Sequence, residues 1–305
     1  MIVVVGATGN VGRPLVQALA AAGEQVTAVS RHLPGEHSRS RVVAEASTPD
    51  AIQREHSRSR VVAEDAPRSI RHRQADLAVP ETLRPVLDGA DALFLLVAGD
   101  GLNPGDVLDV AEAGGVKRVV LLSSQGVRTR PDAASYAHLG AFEEVVRRSS
   151  LEWTVLRPGG FDSNAFLWAE PIRSQRAVAA PFPDVALPFI DPADIAEVAA
   201  VALRDGTHAG HTYELTGPAP VSPREQVRAI GEALGTQVRF VEQSRDEARA
   251  QLLRFMPEVA VDGTLDIMGE PTADERRVSP DVERVLGRAP RTFAGWAERN
   301  VAAFR

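Results

Sequence analysis

Strand-like runs over residues 2–5, 25–30, 70–75, 92–97, 118–123 and 153–157 punctuate the first half of the chain, and the apolar spacing between them changes to threes and fours. Ile2-Val3-Val4-Val5 and the run from Ala92 to Val97 are uninterrupted, as strands buried on both faces require. Val11, Leu15, Val16 and Leu19 share one helical face, and Tyr136, Leu139, Phe142 and Val146 form another stripe. These patterns predict helices over 11–22 and 135–149, with two more over 80–87 and 104–113. Strand and helix in regular alternation predict an α/β fold with a doubly wound parallel sheet.

Past Pro158-Gly159-Gly160 the pattern is less regular. Short apolar pieces at 177–182 and 187–190, helices over 192–203, 245–255, 280–286 and 293–304, and a strand over 211–215 are expected. Ser222-Pro223 with Glu225 combines an N-cap, a proline at the first helical position and an acid in the first turn, marking another helix start. The chain therefore divides into a nucleotide-type α/β domain over 1–158 and a smaller mixed lobe over 159–305, some of whose elements return to the first core. A cleft between them, outside the carboxyl ends of the strands, is where a ligand is expected. The decapeptide at 36–45 recurs identically at 55–64. Two copies cannot make a solenoid, so the segment over about 32–68 reads as a duplicated polar surface insert between the second and third strands.

The first strand runs directly into Gly6-Ala7-Thr8-Gly9-Asn10-Val11-Gly12, which opens a helix. Gly6 suits the tight turn, Gly9 permits close approach of a pyrophosphate, and Gly12 allows the helix to pack on the strand. The free N–H groups of the helix start, within Gly6, Thr8, Gly9, Asn10, Val11 and Gly12, then cradle the phosphates. The second strand ends in Ser30-Arg31, with no acid between Gln25 and Gly35. A site selective for NAD places a carboxylate there, whereas Arg31 offers a planar cation for a 2′-phosphate, so NADP(H) is the expected cofactor.

Composition narrows the classes further. A net charge of −7 argues against nonspecific affinity for nucleic acid or anionic membrane, and no stretch reaches the length of a membrane span. The chain starts with its first strand and has no cysteine, so no leader peptide, disulfide or thiolate metal site is expected, and the cytoplasm is the expected location. His208 and His211 stand without supporting ligands, and no metal site is expected. The oligomeric state, monomer or homodimer, is open.

The glycine motif, Ser30-Arg31, Ala75-Asp76-Leu77, Ser123-Ser124-Gln125-Gly126-Val127, the run from Trp153 to Phe161 and Asp191-Pro192-Ala193-Asp194-Ile195-Ala196 together resemble the NmrA-like branch of the atypical short-chain dehydrogenase/reductases. The likeness covers nearly the whole chain. It implies a Rossmann-type fold in which Asp76 and Leu77 flank an adenine, Val97 and Ala98 line the path to a nicotinamide, and Ser123 and Pro158 complete the cofactor site. It also brings Gln125, Phe161, Asn164, Phe166 and Trp168 to the substrate side, where interleaved aromatic and polar residues suit an apolar, partly wet cleft. Phe255, Met256 and Met268 are expected to close that cleft from the C-terminal side.

Family reductases commonly use a Tyr-x-x-x-Lys pair with a serine after the fifth strand. Here Tyr136 is followed by Gly140 in the lysine position. Lys117, the only lysine, precedes the fifth strand and so belongs to the opposite edge of the sheet. Tyr136, Ser124 and His138 are the candidate proton donors, weighed against a core tyrosine, a turn serine and a surface histidine. The leading expectation is an oxidoreductase that passes hydride from NADPH to a small apolar carbonyl, enone or quinone-like compound, acceptors that need less help from a general acid. A cofactor-binding sensor without turnover, or a non-redox biosynthetic enzyme on the same fold, are the alternatives.

Overall fold

The computed structural model describes residues 1–31, 69–97 and 102–305. The duplicated decapeptide and Ala98 lie outside the described residues. Strands β1 (Ile2–Val5), β2 (Val26–Ser30), β3 (Ile70–Gln74), β4 (Ala92–Leu96), β5 (Arg118–Leu122), β6 (Glu152–Pro158) and β8 (His211–Leu215) form one sheet of order β3-β2-β1-β4-β5-β6-β8. Every pairing in it is parallel. The order reverses at β1, so the crevice outside the strands' carboxyl ends opens beside the glycine turn. Strands β7 (Ala177–Ala180) and β9 (Arg239–Glu242) make a separate parallel pair.

The helices are α1 (Gly12–Ala21), α2 (Arg84–Leu87), α3 (Pro104–Ala113), α4 (Gly126–Thr129), α5 (Ala134–Arg148), α6 (Ala169–Gln175), α7 (Pro192–Arg204), α8 (Pro223–Leu234), α9 (Arg245–Leu252), α10 (Glu258–Gly269), α11 (Asp281–Leu286) and α12 (Phe293–Arg299). Side chains alternate across each strand, so β1 sends Val3 and Val5 to one face and Ile2 and Val4 to the other. On the first face Leu87, Leu93, Val107, Leu121, Phe142 and Val146 complete a core beneath α2, α3 and α5. On the second, Leu15 and Leu19 of α1 meet Phe94, Val120, Ile195 and Ala199. Residues late in sequence therefore cover the first domain's sheet: α7 packs over α1, and β8 hydrogen-bonds to β6 as an edge strand.

A further core forms from residues after Gly160, in which Phe166 packs edge-on to Trp296 and stacks on Phe304, with Ile172, Val178 and Ile230 around them. Two local signals in the sequence account for how α7 and α8 start. Asp191 accepts from the Ala193 N–H at 2.9 Å ahead of Pro192, and Ser222 and Glu225 form a reciprocal capping box ahead of Pro223. Helix α10 has no counterpart in the apolar pattern because Gly263 and Gly269 interrupt it. Those glycines are contact points: a Cβ on Gly263 would lie 2.9 Å from Ser135 Oγ, and one on Gly269 2.8 Å from the Phe182 ring. The bareness of Gly263 lets α10 lie down on the start of α5, that of Gly269 seats the Phe182 ring, and α10 becomes one wall of the cleft.

Candidate active site

The glycine turn has the backbone its sequence demands. Gly6 sits at φ +75°, and a Cβ on Gly12 would fall 2.1 Å from the Gly6 carbonyl oxygen, closer than any side chain allows. Gly9 N–H donates to Gly6 and Arg13 N–H to Gly9, at 3.0 and 3.1 Å. No side chain caps α1 and no acid occupies its first turn. Among the described residues, the N–H groups of Asn10, Val11 and Gly12 donate to nothing. Unspent donors on a helix of this length, flanked by bare glycines, fit a pyrophosphate. Thr8 is in the same turn. Asn10 turns its side chain the other way, donating to Ser163 Oγ at 3.2 Å and holding the loop against the second lobe.

Along the same edge, Ser30 ends β2 and Arg31 follows it, exposed and with no carboxylate on its guanidinium among the described residues. The Arg31 carbonyl accepts from Gln74 at 2.9 Å, which fixes the backbone there. Asp76 is tied into its own turn, taking the Ala78 N–H at 3.0 Å, while Leu77 is buried in the core with Leu83 and Val86. Val97 is half-buried against the same core.

After β5 the chain divides its labour between neighbouring serines. Ser123 is buried and donates to Glu143 at 2.6 Å, joining a cluster in which Arg157 and Arg147 also bind that carboxylate. Burial pushes Glu143 up, but these donors together hold it below its usual range. Ser124 instead faces the cleft, with Tyr136, Asn164, Phe189, Met268 and Glu275 around a cavity of about 190 Å³. Pro158 and Gln125 line it as well.

Glycines set the shape of this cavity. A Cβ on Gly126 would stand 2.2 Å from Tyr136 Cζ, so the tyrosine ring lies directly on that glycine. Gly159 makes room for Gln125 Oε1 and Gly160 for the Phe189 ring, at 2.9 and 2.6 Å from the Cβ each lacks. Glu275, buried beside Tyr136, accepts from Arg130 at 2.8 and 2.9 Å and from the Thr272 N–H at 2.8 Å. Burial raises Glu275, and those donors outweigh it, leaving the carboxylate charged. Burial, with the Glu275 charge adding and Arg130 opposing, pushes the Tyr136 phenol above its usual range. Lys117 pairs at 3.8 Å with Asp91 near the start of β5, at the far end of the sheet. Gly140, one turn on from Tyr136, has only Val127 within 4 Å of a virtual Cβ, at 3.9 Å.

Thr264, Asn164, Phe189 and Met268 are shared with a second cavity of about 340 Å³, whose walls include Phe161, Trp168, Phe255 and Met256. Phe166 is not part of that wall: it belongs to the aromatic core and borders a third hollow, of about 470 Å³, beside Asn10 and Arg13. His138 lines none of the three. Sequence reading passed over Glu275, Arg130 and Phe189. Thr272-x-x-Glu275 reads locally as a helix-start box, and nothing near Phe189 signals that Gly160 is its seat.

Residues 1–297 match the NmrA-like family. Over its full length the chain is 33% identical to the (4-alkanoyl-5-oxo-2,5-dihydrofuran-3-yl)methyl phosphate reductase of Streptomyces griseus, covering 99% of that protein. It is 30% identical to the NAD(P)H azoreductase of Xenophilus azovorans, with 100% and 99% of the two chains covered. Its fold is similar to that of an NADPH-dependent quinone oxidoreductase from Escherichia coli, solved with NADPH, at TM-score 0.73 and 21% identity over 98% and 99% of the chains. No helix among the described residues is long and apolar enough to cross a membrane.

Proposed function

Because the chain belongs to the NmrA-like family, we propose that it is an NADP(H)-dependent oxidoreductase that reduces a small apolar carbonyl, enone or quinone-like acceptor between Tyr136 and Phe189. Both full-length relatives bear the names of reductases, and one is named for NAD(P)H. The unspent N–H groups of Asn10, Val11 and Gly12 hold the pyrophosphate, and Arg31 meets the 2′-phosphate. NADPH, when bound, supplies the hydride. The protein's own residues supply orientation and a dry surround: Phe189, Met268 and Pro158 exclude water, while Ser124 and Asn164 offer polar atoms to the acceptor.

The observation that carries the class of acceptor is the Tyr136 environment. Its phenol sits beside a charged, buried Glu275, with glycine where lysine-assisted reductases keep their cation. A phenol held above its usual range stays protonated and donates a hydrogen bond, but gives up its proton reluctantly. Hydride addition to a ketone concentrates charge on one oxygen, which needs a willing acid. Addition to a quinone or enone spreads the charge through conjugation. The test is steady-state consumption of NADPH across quinones, enones and simple ketones. Turnover confined to conjugated acceptors is expected. Fast turnover of simple ketones would overturn the proposed acceptor class, and tight NADPH binding with no turnover on any of the three would leave a cofactor-binding regulator.

A further inference from the structure

Gln226 lies on the first turn of α8, only 5% exposed, and lines the 340 Å³ cavity. Its backbone N–H is used by the Ser222 carbonyl at 2.9 Å, but its side-chain amide has no hydrogen-bond partner among the described residues. With no partner in the protein, that amide is open only to what enters the cavity, water or a ligand. The two other glutamines of the cavity are engaged with each other, Gln243 donating to Gln251 at 3.1 Å. Around these amides the wall is aromatic and aliphatic, with Phe161, Trp168, Leu252 and Met256, and no charged side chain among the described residues lines it. Among the described residues, the adjoining 190 Å³ cavity is lined by no basic side chain, and the one charged side chain on it is the anionic Glu275.

Resting on the reading of this cleft as a reductase site, we propose that Gln226 is a specificity residue. The acceptor is uncharged and elongated, its reducible end against Tyr136 and its apolar body in the second cavity, carrying a neutral hydrogen-bonding group, a hydroxyl, carbonyl or amide, that meets the Gln226 amide. The shared residues Asn164, Phe189, Thr264 and Met268 make the two cavities one continuous channel for such a molecule. A phosphate or carboxylate at that end finds no cation among the described residues, which the charged group in the name of the Streptomyces relative's substrate would need.

The probes are benzoquinones bearing alkyl chains of graded length, each made with a plain, a hydroxyl and a phosphate terminus. Their binding to the protein loaded with NADP⁺, which has no hydride to give, is measured by calorimetry, and turnover with NADPH is measured separately. At the chain length that reaches Gln226, the hydroxyl form should bind about three- to tenfold more tightly than the plain form, and the phosphate form more weakly than either. In the nearly isosteric variant Gln226→Met, that advantage should vanish with the melting temperature held or raised. A hydroxyl advantage absent at every length, or persisting in Gln226→Met, overturns the assignment, as does failure of the whole series to bind. Reduction of plain quinones without a hydroxyl advantage would uphold the reductase reading and sink the role of Gln226. The advantage without reduction would do the reverse.

Discussion

At the scale of single residues, the proposed function gives Tyr136 to the acceptor and Arg31 to the cofactor. Tyr136 rests on Gly126 with its phenol kept protonated by burial and by Glu275, so it serves as a fixed donor more than as an acid. Tyr136→Phe is therefore expected to lower kcat/KM for a quinone by about tenfold or less, short of the 10²- to 10⁴-fold that loss of a working general acid costs. Steady-state kinetics decides it, and a hundredfold loss with unchanged quinone binding would show that the phenol transfers a proton after all. Arg31 is exposed and without a carboxylate among the described residues, free to meet a phosphate. One charge-assisted contact is worth about 1.5–3 kcal/mol, so Arg31→Asp should swing the preference for NADPH over NADH by about ten- to a hundredfold. Equal affinity of the unaltered chain for both cofactors in calorimetry would remove the role given to Arg31.

At the scale of elements, α5 carries the departure from the lysine-assisted reductases, and it does so with space to spare. A side chain at Gly140 meets only Val127, at ordinary contact distance, and a glycine in mid-helix costs about 0.5–1 kcal/mol relative to alanine. Gly140→Lys should thus raise the melting temperature slightly and place a cation one turn from Tyr136. The phenol's titration, followed by ultraviolet difference spectra against the parent chain in which Tyr213 is common to both, should move downward. An unmoved titration would mean that position 140 faces away from the phenol. The same element shows what a sequence can and cannot disclose. Phe142 and Val146 are core, as a helical stripe requires, and the glycine turn and its strand were plain from spacing alone. Tyr136 shares that stripe yet lies on Gly126 in the cleft, because the stripe extends past the end of the sheet that would bury it. Likewise Phe166 and Trp168 are two residues apart and take different depths, one inside the aromatic core and one at its edge, where it forms the cavity wall. Which way each turns depends on Trp296, Phe304 and Phe189, far away in sequence, and local periodicity holds no record of them.

At the scale of the whole molecule, the two halves meet on a buried carboxyl that no hydrogen bond satisfies. Asp162 is 1% exposed and neither of its oxygens has a partner. Its neighbour Ser163 receives Asn10 of the glycine loop, Asp191 is paired with Arg299 near the chain's end, and Asp194 is held by Arg288 at 2.7 Å and by Arg291. Burial, reinforced by the charges of Asp191 and Asp194 and opposed by Arg299, pushes Asp162 from 3.8 up to about 8. The sign of the consequence is opposite to that of a paired carboxylate. Below the ordinary carboxylate range both folded and unfolded chains hold the proton and the group costs nothing through pH. Between 3.8 and about 8 the folded chain keeps a proton that the unfolded chain has released, so stability falls as pH rises through that window and levels off above it. Asp162→Asn removes this titration while keeping the shape. Comparison of the two chains cancels the carboxylates they share, and their difference in melting temperature should shift in favour of the variant as pH rises from about 5 to about 9. Each pH unit of that window is worth on the order of 1 kcal/mol through the proton the folded chain alone retains, so the gap should widen by several degrees in a chain of this size. Because Asn10 ties this junction to the unspent donors of the glycine turn, NADPH should protect both chains alike if only the junction titrates. A gap that stays constant across pH would show that Asp162 is ionised and satisfied in solution.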